Sequence, residues 1–335
     1  MPRMTESGAG KIYTRRDGPL TLTVVVPCFD EEALIVETHR RLRATVDAIP
    51  GVSAELLFVD DGSRDHTLQL LRQIAARDAA VRVVSLSRNF GHQLALSAGL
   101  EHATGDVVAV IDADLQDPPE LIAEFIAKWR EGHDVIYGVR RHRHGESGFK
   151  LTTAHLFYRL MRWMSDTEIP YDAGDFRLLD RSVVDALLSM PERDRFVRGM
   201  ISWVGFRQVA IQYDRSARLA GETKYPLRKM IRFALDGIFS FSAQPLRLAT
   251  YFGFFASGLA VVGVIYAFVL RIANDSVVPG WATLLIAVLF LGGVQLVSLG
   301  IMGEYIARIY GQVKQRPLYL VRERVGFDSD RRTGV

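Results

Sequence analysis

Two stretches without a charged residue constrain this chain more than anything else in it: Leu248 to Leu270, 23 residues, and Ser276 to Gly303, 28 residues. Roughly 20 apolar residues in a helix cross a bilayer core, and a helix buried inside an ordinary globular domain is much shorter. The runs therefore predict a two-helix transmembrane hairpin, at about 248–270 and 281–303. Its connection, ANDSVVPGWA, holds no lysine or arginine. Arg228, Lys229, Arg232 and Arg247 precede the first span, and Arg308, Lys314, Arg316, Arg322 and Arg324 follow the second, with Arg271 alone at the other end. By the positive-inside rule both termini and everything before the hairpin face the cytoplasm. The net charge of +3 then belongs to membrane-facing flanks, and no nucleic-acid-binding motif accompanies it.

The rest of the chain alternates two periodicities. TLTVVVP, AELLFVDD, VRVVSL and DVVAVIDAD are continuous aliphatic runs, separated by helical patterns over Glu31–Ile49, Asp65–Arg77 and Gly91–Ala103. Strands buried on both faces read this way, and βα alternation implies a mostly parallel sheet covered by helices. Residues 1–19 carry no apolar signal-peptide core; Arg15-Arg16 is followed only by Leu20–Val26 before Pro27 interrupts, so the segment reads as a flexible tail. The single cysteine, Cys28, excludes an internal disulfide and a cysteine-rich zinc site.

In such sheets ligands bind beyond the carboxyl ends of the strands. Three acidic clusters fall there: Asp30-Glu31 after the first strand, Asp60-Asp61-Gly62-Ser63 after the second, and Asp112-Ala113-Asp114 after the fourth. In DADLQDPPE, Asp117, Pro118 and Glu120 have the spacing of a helix start with Asp117 as N-cap. That leaves Asp112, Asp114 and Gln116, which an extended chain would direct to one side. Hard oxygen donors of this kind suit Mg²⁺ or Mn²⁺ bound together with substrate phosphates. GAGKI, at 8–12, lacks the spacing and the Ser or Thr of a phosphate loop. Nucleotide recognition then falls to carboxylates, with Asp60, Asp61 and Glu31 as acceptors for base N–H or ribose hydroxyls.

VVVPCFDEE, FVDDGSRD, DADLQDPPE, GDFRLLDR, RGMISWVG and GETKYPLRKM, in this order and followed by the hairpin, resemble the membrane-anchored polyprenyl-phosphate glycosyltransferases of glycosyltransferase family 2. Within them the likeness is greatest to bactoprenol (undecaprenyl-phosphate) glucosyltransferases, with dolichyl-phosphate mannose synthase a more distant relation. The resemblance spans about residues 20–325 and implies a GT-A (Rossmann-like) α/β fold. A catalytic domain at 20–223 would lead through a juxtamembrane amphipathic segment at 224–247 to the hairpin, with a basic cytoplasmic tail at 304–335. The implied reaction is inverting transfer of a sugar, glucose from UDP-glucose, to undecaprenyl phosphate on the cytoplasmic face of the inner membrane. GDP-mannose or another nucleotide-sugar is the alternative donor.

The resemblance also implies residue roles. Pro27, Phe29, Glu31 and Asp61 would contact the nucleoside; Asp112, Asp114 and Gln116 would hold the metal, with Asp112 also at the donor. Arg140, Arg177, Arg198 and Lys224 match basic positions facing donor or acceptor phosphates, with Arg215 beside them for the acceptor. Asp175, in GDF, is the candidate catalytic acidic residue, acting with Asp114, Arg177 and Lys224. Cys28-Phe29-Asp30 departs from the family, in which an asparagine commonly stands at the Asp30 position. Met230, Phe233, Ala234, Ile238 and Phe241 fall at helical spacing with basic residues between them, as in a helix lying in the headgroup layer or packing on a second subunit, since the family is often oligomeric. A processive synthase is disfavoured by the absence of a QxxRW-like motif, and a nucleotidyltransferase would have no need of the hairpin. A membrane-anchored nucleotide-sugar-binding protein without turnover remains the non-enzymatic alternative.

Overall fold

The computed structural model describes residues 18–141, 173–214, 244–273 and 280–327. Lys224, Arg215 and the amphipathic segment lie outside them. The described strands form one eight-stranded sheet in the order β7-β5-β6-β4-β1-β2-β3-β8. It is built from β1 (Leu20–Cys28), β2 (Val52–Asp60), β3 (Val81–Leu86), β4 (Val107–Val110), β5 (Val135–Arg140), β6 (Ala173–Asp180), β7 (Gln208–Tyr213) and β8 (Val321–Val325). β1 to β4 are mutually parallel, β5 and β7 run with them, and β6 and β8 are antiparallel to their neighbours.

The continuous apolar runs become central strands because both faces are covered. Val24 and Val26 point into one core with Ile35 and Leu42 of α1 (Ile35–Asp47), Leu71 of α2 (Thr67–Arg77) and Phe125 of α4 (Leu121–Arg130). Val25, between them, points to the other side, toward Ala95 and Leu96 of α3 (His92–His102), Val184 of α5 (Arg181–Ser189) and Met200 of α6 (Val197–Trp203). The period-2 alternation of a strand thus divides one sequence run between two cores.

Two long helices follow, α7 (Gln244–Ala273) and α8 (Trp281–Val313), of 30 and 33 residues. Almost none of their apolar length is buried within the protein; Phe254, for example, is 72% exposed. This removes the reading of buried core helices and leaves two helices long and apolar enough to cross a membrane. α8 continues ten residues beyond Gly303, where the uncharged run ends, a further ~15 Å at ~1.5 Å per residue. Arg308, on this extension, bonds to Asp194, in the segment between α5 and α6, at 3.2 Å.

The described part of the expected basic tail at 304–335 comprises the end of α8 and a strand. After α8 the chain returns to the sheet, and β8 pairs antiparallel with β3, closing an edge that would otherwise be open. Arg72 grips Glu323 through two hydrogen bonds, at 2.9 and 2.8 Å, Tyr319 donates to Glu101, and His102 meets Phe327 edge-on. The valines of VRERV are half-buried while Arg322 and Arg324 are exposed, the pattern of a strand with one covered face. Truncation after Gln315 is therefore expected to lower the melting temperature by about 4 °C or more and to speed amide exchange at Val83–Leu86. Calorimetry and hydrogen exchange on the detergent-solubilised protein check both.

Candidate active site

The strand ends on one rim are tied together by polar contacts between their loops. Asp30 lies in the left-handed region, at φ 54°, which asparagine and aspartate tolerate better than other side chains. The departure from the family's asparagine therefore preserves the backbone. Its carboxylate accepts from Arg64 N–H at 2.7 Å, and its own N–H donates to Ser63 Oγ. Glu31 N–H donates to Thr67 Oγ1, which fixes the turn before α1 and makes that helix start at Ile35 instead of at Glu31. Pro27 is buried and Phe29 exposed at the rim. Cys28 packs beneath them, its thiol pushed well up by burial and by Asp60, so it stays protonated.

Asp60 and Asp61 are buried but engaged. Asp60 accepts from Ser85 Oγ at 2.8 Å and from Ser63 N–H. The two oxygens of Asp61 accept from the N–H groups of Phe90 and Gly91, at 2.7 and 2.9 Å. Asp61 thus braces the β3–α3 loop in addition to facing the rim. Gly62 completes the corner at φ 68°, where an added Cβ would lie 2.4 Å from the Arg88 carbonyl carbon. Gly62→Ala combines that clash with a strained backbone and is expected to cost about 3 kcal/mol, measurable by denaturant unfolding.

The DADLQDPPE segment differs from its expected form. Leu115 is left-handed, at φ 55°, and Gln116 N–H turns back to Asp114 Oδ1 at 3.2 Å. Asp112, Asp114 and Gln116 therefore lie on a turn, and the alternation of an extended chain does not apply. Asp117 is not an N-cap either. It is buried and accepts from Tyr213 Oη at 2.5 Å, tying this loop to β7, while α4 begins only at Leu121 and Glu120 pairs with Arg41. Carboxylates nevertheless crowd here. Asp112 is pushed up to about 6 by burial and by the charges of Asp175, Asp117 and Asp114, against the pull of His92.

Across the sheet, β4 and β6 are paired so that Val110 faces Arg177. Two residues further along, this register sets Asp112 level with Asp175. Asp175 is buried and receives Nε of Arg198 at 2.8 Å on one oxygen and an Arg198 terminal nitrogen at 3.1 Å on the other. His92 Nε2 lies 3.1 Å from Asp175 Oδ2 and 3.7 Å from Asp112 Oδ1, and a terminal nitrogen of Arg177 lies 4.0 Å from Asp175 Oδ1. Burial opposes the charge of Asp175, but these donors and cations outweigh it and hold the carboxyl far below its usual range. Arg177, only 4% exposed, donates to Gly174 C=O at 2.7 Å, and burial lowers its guanidinium to about 10 despite Asp175. A terminal nitrogen of Arg140 lies beside Gly174, and Arg140 bonds to Tyr213.

The structure thus gathers Asp112, Asp175, Arg177 and Arg198 into one cluster, with Asp114 and Gln116 on the adjoining turn, Pro27 at the end of β1, and Phe29, Glu31 and Asp61 on the neighbouring loops. It adds His92, which the sequence reading missed. Among the described residues no three His, Cys, Asp or Glu side chains converge as a metal cluster. The donor set available to a cation is two carboxylates and an amide.

Residues 23–188 match the family Glycosyl transferase family 2, and residues 244–309 match the GtrB C-terminal hairpin. The chain is 48% identical to the uncharacterized glycosyltransferase YkcC of Bacillus subtilis, over 92% of this chain and 95% of that protein. It is 40% identical to the bactoprenol glucosyl transferase of Shigella phage SfX, over 91% of this chain and all of that protein. The chain belongs to glycosyltransferase family 2. A solved structure, the mannosyltransferase PcManGT from Pyrobaculum calidifontis with GDP-Man and Mn²⁺, covers 89% of this glycosyltransferase and 88% of its own chain, at 18% identity and a TM-score of 0.44. The glycosyltransferase has the GT-A-like sheet order, and its rim cluster lies at the carboxyl ends of β1, β2 and β4, where the ligands of such sheets bind.

Proposed function

We propose that this glycosyltransferase moves glucose from UDP-glucose to undecaprenyl phosphate at the cytoplasmic face of the membrane, with inversion. The observation that carries the reading is a cluster of opposed charges, Asp112 and Asp175 against Arg177 and Arg198, in a chain with two helices long and apolar enough to cross a membrane. The bactoprenol glucosyl transferases of similar sequence support the choice of this lipid and of glucose. The basic flanks of α7 and α8 support a cytoplasmic catalytic domain with both termini on the same side.

Burial, with the neighbouring carboxylates, pushes Asp112 up to about 6, an environment in which a cation would be favoured, and the oxygen donors fit Mg²⁺ or Mn²⁺. Asp112, Asp114 and Gln116 would hold it. When bound, the cation neutralises charge developing on the leaving nucleoside diphosphate. The protein's own groups supply the rest. A phosphate monoester loses its second proton near pH ~6, so the acceptor oxygen is already largely anionic at neutral pH. No strong base is needed. Asp175, engaged by Arg198 and His92 and held far below its usual range, is a poor proton acceptor and serves to fix the two arginines. Arg177 and Arg198 offset the repulsion between the acceptor phosphate and the donor diphosphate. Lys224 and Arg215 are proposed to add to this offset.

A pH dependence follows for the cation. Below pH ~6 a proton competes for Asp112, so apparent metal affinity is expected to fall up to about tenfold per pH unit there and to level off above. Titration of Mn²⁺ by electron paramagnetic resonance at pH 5, 6, 7 and 8 checks the slope. The donor is tested by offering labelled UDP-glucose, UDP-galactose and GDP-mannose in turn with undecaprenyl phosphate. UDP-glucose is expected to label the lipid fastest; equal or faster labelling from GDP-mannose would overturn the assignment of glucose.

A further inference from the structure

We propose that His92 is a positioning residue of the transfer reaction, holding Asp175 and the Arg198 guanidinium in place from the first turn of α3. The inference rests on the glycosyltransferase reaction proposed above. Three contacts form a closed circuit around the cluster. His92 Nε2 meets Asp175 Oδ2 at 3.1 Å, and Arg198 Nε and a terminal nitrogen bind the same carboxylate at 2.8 and 3.1 Å. Val197 N–H, adjacent to Arg198 in the chain, donates to Oε1 of Gln93, adjacent to His92, at 3.0 Å. Three elements, α3, β6 and α6, are thereby locked at the point where their termini converge.

The start of α3 is itself held from the nucleotide side. Asp61 takes the N–H groups of both Phe90 and Gly91, Gly91 is left-handed at φ 99°, and His92 is the next residue. A rigid path therefore runs from the acidic loop after β2, through two backbone hydrogen bonds and one ring, to the carboxylate that fixes Arg198. The ring is 41% exposed and so is not part of the apolar core. Its Nε2 also stands 3.7 Å from Asp112 Oδ1, so the ring lies between the Asp112 and Asp175 carboxylates. Loss of the ring nitrogen leaves Asp175 held by Arg198 alone and lets the pair drift together, and a misplacement of about 1 Å at a reacting centre costs on the order of 10²-fold in rate.

The test compares the full-length enzyme in detergent with His92→Phe, His92→Ala and His92→Gln. Glutamine places a donor amide at about the reach of Nε2, whereas phenylalanine keeps the ring volume without a donor. Expected are a fall in kcat of about 10²-fold for His92→Phe and His92→Ala, a KM for UDP-glucose within about threefold of wild type, and recovery of most of kcat in His92→Gln. Melting curves and UDP binding by calorimetry are followed for each. Wild-type kcat in His92→Phe would overturn the inference, as would a kcat in His92→Gln no better than in His92→Phe. A loss that tracks melting temperature across all three variants would overturn it as well, by showing a purely structural role. Absence of transfer by the wild-type enzyme would instead remove the proposed reaction itself, and the inference with it.

Discussion

An Asp112→Asn enzyme is expected to transfer sugar about 10³-fold more slowly than wild type while unfolding less readily in the absence of metal. The two effects have one cause. Asp112 sits among Asp114, Asp117 and Asp175, and its carboxyl rises to about 6, against about 3.9 in an unfolded chain. A group whose folded value is raised binds more protons folded than unfolded between those limits, so its charge costs stability as pH rises from about 4 to 6. Above pH ~6 the cost is complete; below pH ~4 it is absent. Asparagine removes it, and because the side chain is 30% exposed the gain is discounted to roughly 1–2 kcal/mol at pH 7, disappearing at pH 4. Catalysis moves the other way, since the carboxylate that destabilises the metal-free protein is the one proposed to hold the cation, and loss of such charge stabilisation is worth several kcal/mol of barrier. Chemical denaturation at the two pH values, beside initial rates, separates the two halves of the prediction.

Asp175→Asn is expected to damage both properties at once. The carboxylate compensates Arg198 directly and Arg177 at 4.0 Å, and Arg177 has almost no contact with solvent. Removing one partner of a buried pair leaves an uncompensated charge and typically costs 3–5 kcal/mol. The pH dependence is opposite to that of Asp112. The folded value of Asp175 is depressed, so its contribution is present above the unfolded value of about 4 and is lost as pH falls below it. The stability gap between wild type and mutant should therefore be widest at neutral pH and narrow in acid. Activity should fall by about 10²-fold or more, because two arginines lose the group that aims them. Equal stability at pH 7 would show that water or another group compensates the arginines, and would contradict the cluster as described.

The sheet and the hairpin were legible in the sequence because their signals are long. Val24–Val26, Leu56–Val59 and Val107–Val110 are aliphatic runs whose alternate residues fill two cores, and the uncharged runs of α7 and α8 have no use inside a domain of this size. Short and conformationally exceptional features were not legible. Reading Asp112, Asp114 and Gln116 as one face assumed extended backbone, and a left-handed leucine at 115 is rare enough that no pattern announces it. Asp117 has the spacing of a cap, but its partner, Tyr213, comes from a strand 96 residues away. β8 is five residues long, and its arginines were read for charge alone, although Val321, Glu323 and Val325 alternate with them. His92 was one histidine among eight with no ligand spacing. The available signal was its place as the first residue after a glycine that joins a buried strand to a helix, next to the acidic rim.

The most direct test of the proposed reaction is transfer of radiolabelled glucose from UDP-glucose to undecaprenyl phosphate by the purified full-length protein in lipid vesicles, with Mn²⁺, with excess chelator, and with Mn²⁺ restored. The prediction is a β-linked glucosyl phospholipid that forms with Mn²⁺, stops with the chelator and resumes on restoration. Lipid labelling at an undiminished rate in the chelator would contradict the metal assignment of Asp112, Asp114 and Gln116. No labelling under any of the three conditions would contradict the proposed reaction.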